Sequence, residues 1–337
     1  MQQATAKPNH RAAKTAALVV LPFAVVLLSL FFGRYPLPWR DVLAAIFTPA
    51  RVSDAALVTV RQLRVPRAVA AAFVGASLAV SGAAFQSVFR NPLVNSGILG
   101  VSNGAGFGAC VAIVCFGGGA STYVFSFLFA VLAVVLSAFA GRISKTTTTI
   151  TLILGGTIVS AFFSAMVSIM KYVADPYSQL PTITFWLMGS FASINYSHLT
   201  ALIPMTAGML AIVISRWRLN ALSMGEKEAA TLGVDVRRWQ CIVVGGATLC
   251  TASAVCICGT IGWVGLVIPH IARMLLGNNN RTLIPASISL GACFLVLMDL
   301  LARSLTGAEL PIGILCALVG TPFFVYLLKK TKGGVWR

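Results

Sequence analysis

The chain has 337 residues, 58% of them hydrophobic and only 10% charged, with a formal net charge of +17 and a mean hydropathy of +0.90. A soluble domain carries roughly 25% charged residues, so this composition excludes an ordinary soluble enzyme and requires an integral membrane protein. The apolar runs are long and continuous rather than alternating, which favours an all-α bundle over a β-barrel, and the net charge is no nucleic-acid signal until its placement is known.

Residues 1–15 form a polar tail with Lys7, Arg11 and Lys14, and Ala16 to Phe32 is the first apolar run. No clear small-residue cleavage site follows it, so it reads as a retained helix rather than a signal peptide. Gly33 to Pro66 is the longest polar excursion, with Trp39, Arg61 and Arg64 in it and Arg67 just beyond. Ala68 to Phe89 is a second span, and Asn91 to Asn103 is a Gly/Asn-rich entry to a third that ends near Phe116. Gly97, Gly100, Gly104 and Gly108 are expected near one helical face, where they allow close backbone packing.

Thr122 to Ala140 and Ile150 to Val173 are the fourth and fifth spans, joined by RISKTTTT. Asp175 to Asn195 contains Phe185, Trp186 and Phe191 and predicts a short interfacial helix. Leu199 to Ile214 and Cys241 to Ile261 are the sixth and seventh spans. The eighth, Gly262 to Leu276, is short and carries Pro269. Leu283 to Leu305 is the ninth, with Asp299 and Arg303 spaced to pair on one helix. Pro311 to Leu328 is the tenth. About ten crossings of roughly 20 residues therefore fit one transmembrane domain over 16–328, flanked by tails 1–15 and 329–337. Leu78 to Gly100 faintly echoes Leu249 to Gly277, each a small-residue helix followed by a broken segment.

Between the sixth and seventh spans lies Ser223 to Arg238, SMGEKEAATLGVDVRR, one of the few polar runs. Glu226 to Leu232 are mostly good helix formers and Gly233 is a natural stop. Ala229, Ala230, Leu232 and Val234 give the segment a small apolar face. By its residues alone, it is equally a docking helix or a solvated loop. With the N-terminus inside, 17 of the 25 basic residues fall on inner segments, which places both tails and this stretch in the cytoplasm. Arg61, Arg64, Arg67 and Arg303 remain outside.

No G-x-x-x-x-G-K-[ST] loop occurs, so the chain has no phosphate cradle of its own. No paired carboxylates, Ser/His/Asp set or metal-ligand cluster is evident. No catalytic or metal role is assigned. The eight cysteines form no C-x-x-C pair and read as small hydrophobes. His270, in VIPHIAR, reads as a packed residue rather than a ligand.

Several stretches, in order, resemble the FecCD-type permeases, the membrane subunits of ATP-driven importers for cobalamin, ferric siderophores and haem. They are LRVPRAVAAAFVGASLAVSGAAFQSVFRNPLVNSGILGVSNGAG, TLILGG, FWLMGSF, MGEKEAATLGV, GTIGWVGLVIPHIAR, MDLLARSL and ELPIGILCALVGTPFFVYLL. The resemblance runs from about Pro36 to Leu328. It implies a type II ABC importer permease fold of ten transmembrane helices in the cell inner membrane. It also implies a homodimer with the path between two copies, surrounded by lipid. Two copies of a separate ATPase would bind ATP and Mg, leaving this chain without a cofactor. Glu226, Glu228, Ala229, Ala230, Leu232, Gly233 and Val234 would couple to that ATPase. Arg64, Arg67 and Arg303 would meet carboxylates of a periplasmic substrate-binding protein. Thr147, Thr148 and Thr149 would form the cytoplasmic gate. The fifth helix and Thr182 to Phe191 would line the outer path. The turn usually written Asp-His-Arg in that family is Asn278, Asn279, Asn280 and Arg281 here, so only Arg281 of that motif is kept.

The expected cargo is a chelated iron compound, a ferric siderophore or haem, with cobalamin second and an oxyanion such as molybdate third. An ion-gradient-driven transporter is the alternative from another class. It needs intramembrane acids, and apart from Asp299 the core spans hold none.

Overall fold

The computed structural model describes residues 8–142 and 149–330, and these are helical with no β-strand. The first part runs α1 (Pro8–Ser29), α2 (Trp39–Phe47), α3 (Asp54–Leu57), a π-helical stretch Val58–Arg64, and α4 (Val65–Val88). Next come α5 (Val101–Phe116), α6 (Ala120–Arg142), α7 (Thr149–Val173) and the short α8 (Gln179–Met188). A 3₁₀ turn at Tyr196–Ala201 leads into α9 (Leu202–Met224), α10 (Glu226–Thr231) and α11 (Val236–Cys258). The chain ends with α12 (Val264–Leu276), α13 (Asn280–Ser304) and α14 (Ile312–Lys330).

Six helical runs among the described residues are long and apolar enough to cross a membrane. Four further apolar helices, at Ala16–Ser29, Val101–Phe116, Val264–Leu276 and Ile312–Tyr326, are shorter. At about 1.5 Å per residue, α12 reaches only ~20 Å, less than the ~30 Å hydrocarbon thickness.

Helix α4 is the centre of the bundle, packed against α9, α11, α12 and α13. Its sequence explains that position: Ala, Gly and Ser dominate, so neighbouring backbones come close. A Cβ on Gly75 would collide with the Gly291 carbonyl of α13, and one on Gly291 with the Gly75 carbonyl. A Cβ on Gly82 would fall on the carbonyl of Gly265 in α12. In α5, Gly104 and Gly108 press on the Phe129 and Phe125 carbonyls of α6. Gly97 and Gly100 do not share that face, because α5 begins only at Val101 and Gly100 turns the chain at φ +80°.

The polar excursion from Gly33 to Pro66 is largely helical. Val42 and Ala45 of α2 are buried against Leu30, Val60 and Ala68. From Asp54 to Val88 the helical run is continuous over 35 residues, so the second span starts earlier than its polar residues indicate. Arg61 is accommodated because its Nε and Nη2 donate to the Ala45 and Ile46 carbonyls at the end of α2, at 2.7 and 2.9 Å.

Residues 91–100 enter the bundle without forming a helix, with Val94 and Leu99 buried. The carbonyls of the two buried residues are satisfied by side chains. Gln86 Nε2 donates to Val94 O at 3.0 Å and Gly265 O at 3.3 Å, and Ser137 Oγ donates to Leu99 O at 2.9 Å. The two echoed segments thus meet, although residues 91–100 contain no counterpart of α12. The predicted interfacial helix is α8. Its end is tied to α11 and α14 by Ser190 N donating to Cys258 O (2.8 Å) and Ile312 N donating to Gly189 O (2.9 Å).

The contact at Gly82 gives a direct test of this packing. Gly82→Ala is expected to cost about 1–3 kcal/mol through backbone displacement. Gly245→Ala in α11, where no atom lies within 4 Å of the new Cβ, is expected to be neutral or stabilising by up to ~1 kcal/mol. Thermal melting of the two variants in detergent checks both; equal melting temperatures would refute the account.

Candidate functional site

Helix α4 joins two polar ends of the molecule, and the predicted site residues divide between them. At its N-terminal end Arg64, Arg67 and Arg303 converge, but as a buried cluster, with 4%, 9% and 5% of their surfaces exposed. Arg64 donates Nη1 to Leu30 O at 2.7 Å and Nη2 to Tyr35 O. Arg67 places Nε and Nη2 on Asp299 Oδ1 at 2.9 and 2.8 Å, and Nη1 on Glu309 Oε1 at 2.8 Å. Arg303 donates Nη2 to Ser29 O at 2.7 Å, and its Nε lies 3.6 Å from Asp299 Oδ2.

The predicted Asp299–Arg303 pair is therefore present, but the shorter contacts to Asp299 come from Arg67. A buried carboxylate such as Asp299 needs cationic partners of this kind. Sequence reading missed Glu309, which lies in the loop before α14. The available signal was scarcity: the chain has only eight acidic residues, and one beside an arginine-bearing helix end calls for a partner. As the chain stands alone, a carboxylate from outside would reach these arginines only by displacing their internal partners.

At the other end of α4 stands α10. Gly225, at φ +144°, and Gly233, at φ +75°, bracket it. Gly225 is favoured there by its φ of +144°, and the Glu228 carboxylate folds back beside it. The predicted apolar face is split. Ala229 and Val234 are buried in the core with Leu219, Leu222 and Val243. Glu228, Ala230, Leu232 and Gly233 face outward, and Leu232 is 61% exposed. Glu226 is half-buried and accepts from Gln240 Nε2 at 3.3 Å. Met224 is also exposed beside α10. Met224 lies within the polar run Ser223 to Arg238, but sequence reading gave it no docking role.

The asparagine turn lies at this same end, and Asn279 and Asn280 are tied in without charge. Asn220 Nδ2 donates to Asn279 Oδ1 (3.0 Å), Asn280 N donates to Asn220 Oδ1 (2.8 Å), and Ser87 Oγ donates to Asn280 Oδ1 (2.9 Å). These bonds tie α9, α13 and α4 together next to α10.

Helix α7 presents two exposed faces. Thr157, Ala161, Ser164, Ser168 and Tyr172 follow one helical stripe, and Leu154, Ile158, Phe162, Ile169 and Val173 lie beside it. The first stripe carries hydroxyls and small groups but no charge. Thr182 and Phe185 of α8 are exposed too, whereas Phe191 is buried. Thr147, Thr148 and the side chain of Thr149 lie outside the described residues. Among the described residues no three His, Cys, Asp or Glu side chains gather to hold a metal ion.

Asp299 is shared by two guanidiniums, so removing one leaves an incomplete buried set. Arg67→Met is expected to destabilise the chain by about 3–5 kcal/mol. Adding Asp299→Asn should recover part of that loss, because the uncompensated carboxylate goes with it. Melting of the single and double variants in detergent reads this; a double variant no better than Arg67→Met would show that Asp299 is not the group left uncompensated.

A profile of the FecCD transport family matches residues 20–330. The molybdate import permease MolB of Haemophilus influenzae is 42% identical, the match covering 94% of this chain and 95% of that one. A Helicobacter pylori protein named as a probable iron chelatin transport permease is 35% identical over 94% of this chain and 98% of its own length. The cobalamin import permease BtuC of Halobacterium salinarum is 37% identical, covering 88% and 80%. A solved inward-facing structure, assigned to the metal-chelate type of ABC transporter, superposes with a TM-score of 0.82 at 40% identity, covering 93% of this chain and 98% of that one. The chain belongs to the FecCD transport family and is a membrane permease of the ABC importer class, in which the ATPase is a separate subunit.

Proposed function

We propose that this chain is the permease subunit of an inner-membrane importer that moves a chelated iron compound, a ferric siderophore or haem, from periplasm to cytoplasm. The observation that carries the coupling role is α10: an exposed rim of Glu228, Ala230, Leu232 and Gly233 fixed on the buried anchors Ala229 and Val234. A rim held on a rigid base transmits displacement, and a chain without a phosphate-binding loop must receive its energy through such a contact. Two ATPase subunits dock there on two copies of the permease, one per α10.

In this reading the four shorter apolar helices cross with the six long ones, giving ten crossings with both termini in the cytoplasm. The second copy meets α7, whose apolar face seals the pair while the hydroxyl stripe lines the path. A stripe of Ala161, Ser164 and Ser168 leaves room for a bulky chelate and offers no fixed charge to trap it. The threonine run 147–149 closes the cytoplasmic end. Alternating access follows from rocking of the helices around that path. The ion-gradient alternative loses its carrier, because Asp299 is held by Arg67 and Arg303. Molybdate is the second reading, favoured by the Haemophilus relative, and cobalamin the third, favoured by the Halobacterium one.

The test is ATP-dependent uptake into liposomes holding the permease, its ATPase and its binding protein. Ferric siderophore, haem, cobalamin and molybdate are compared, and accumulation of a ferric chelate or haem is expected. Accumulation of molybdate or cobalamin alone would replace the cargo. Leu232→Asp should cut uptake at least tenfold with melting unchanged, since an exposed substitution costs under about 0.5 kcal/mol. Full uptake by that variant would remove the coupling role from α10.

The outer arginines take part in docking the binding protein once their internal partners give way. Glu309 is the accessible one, with 27% of its side chain exposed. Glu309→Gln, which weakens its hold on Arg67, is expected to tighten binding-protein affinity severalfold, most clearly at low salt. Weaker or unchanged binding in a titration would show that Arg67 does not dock.

A further inference from the structure

At the end of the bundle that carries α10, the last turns of α9 and the first of α11 and α13 bring together two tryptophans and two arginines. The Arg218 guanidinium carbon lies 4.5 Å from the Trp239 ring centre and 5.8 Å from that of Trp217. The Arg281 guanidinium carbon lies 5.9 Å from the Trp217 ring centre. Trp217 is half exposed and Arg281 is exposed. Stacking uses the faces of a guanidinium and leaves its N–H edges free for an oxyanion. Among the described residues neither arginine has a carboxylate within ion-pair distance.

The surface leading to this cluster is apolar and continuous. Ile203, Leu210 and Ile214 lie on the same face of α9 as Trp217, at 73%, 63% and 54% exposure for Ile203, Ile214 and Leu210. In a bilayer such a face is covered by acyl chains. A tryptophan at its end sits at headgroup level, where aromatic rings with one wet edge are favoured. The asparagine network fixes the geometry: Asn279 accepts from the Arg281 amide at 3.0 Å and from Asn220 on α9 at 3.0 Å, which holds α9 and α13 in register.

We propose that Trp217, Arg218, Trp239 and Arg281 form a binding site for the phosphate headgroup of an anionic membrane phospholipid, with its chains along Ile203, Leu210 and Ile214. The occupant follows from three matched features: cations without a protein counter-ion, an aromatic ring at the boundary, and an apolar track ending at that ring. Each cation near an anionic lipid surface contributes about a fivefold gain in binding. The site is independent of the cargo and of coupling by α10.

The test uses the full-length chain in a non-ionic detergent, titrated with dibrominated phosphatidylglycerol or dibrominated phosphatidylcholine while tryptophan fluorescence is followed. Half-quenching is expected at a concentration at least fivefold lower for phosphatidylglycerol, and Trp217→Phe should reduce the quenched amplitude. Arg218→Gln with Arg281→Gln should bring the two lipids together. Arg237→Gln with Arg238→Gln, which removes the same charge nearby, should preserve the preference. Should the first double variant fail to fold, Arg281→Gln alone, at an exposed position, is expected to lower the preference severalfold. Equal quenching by the two lipids in the unmodified chain overturns the proposal. So does a preference that survives loss of Arg218 and Arg281, or one that falls equally without Arg237 and Arg238. If that first variant loses co-purification of the ATPase and keeps its lipid preference, the cluster is a protein contact and the lipid site is refuted.

Discussion

The backbone of α4 touches the backbones of α12 and α13 with almost no side chain between, and the placement of the polar groups depends on that contact. In lipid there is no hydrophobic gain from pressing one apolar helix on another, so close approach and dispersion hold the bundle. Gly75 against Gly291 and Gly82 against Gly265 set the approach. The register they impose puts Arg67 beside Asp299 at one end of the α4–α13 pair. The same register puts Ser87 beside Asn280 at the other. One interface therefore positions the buried charge cluster and the platform next to α10.

Broken helices are tolerated here only where side chains replace the missing backbone bonds. Gln86 shows how economical this can be. Its amide nitrogen serves the carbonyls of Val94, in the irregular 91–100 segment, and Gly265, in the first turn of α12. Its amide oxygen accepts from Arg273 Nη1 at 2.6 Å. A single side chain thus fastens the entry to α5, the start of α12 and the end of α12 to α4. An apolar residue at that position would leave several buried polar groups without partners, each costing about 1–3 kcal/mol.

What the sequence revealed follows from which forces act locally. Helix α10 could be read because its polarity, its Gly233 stop and its helix formers all act within a dozen residues. The apolar spans could be read for the same reason, although Arg61 and Arg64 disguised the start of the 35-residue run from Asp54. Their guanidiniums are satisfied by carbonyls of Ala45, Ile46, Leu30 and Tyr35, and those partners are set by tertiary folding, not by spacing. The burial of Arg64, Arg67 and Arg303 was hidden likewise, since Asp299 and Glu309 lie 232 and 242 residues from Arg67. The division of α10 into anchors and rim was also out of reach, because a six-residue helix is too short for periodicity to say which face the core takes.

The distribution of acids explains how so cationic a chain keeps its ends distinct. Asp299 and Glu309, two of only eight acidic residues, are committed to one cluster with Arg67 and Arg303. Buried guanidiniums there need partners, since water is excluded and an unpaired charge is costly: Arg64 takes the Leu30 and Tyr35 carbonyls, while Arg67 and Arg303 take carboxylates. At the opposite end arginines can face water or headgroups, so the turn between α12 and α13 needs no carboxylate and is built from asparagines. Neutral hydrogen bonds do the structural work of that turn, and the positive charges beside it stay uncompensated. An aspartate in place of Asn279 could still cap α13, but it would set a negative charge beside Arg281 and oppose an anion held by Arg218 and Arg281. The asparagine turn thus keeps the helix register of a charged one while leaving the surface around Trp217 positive.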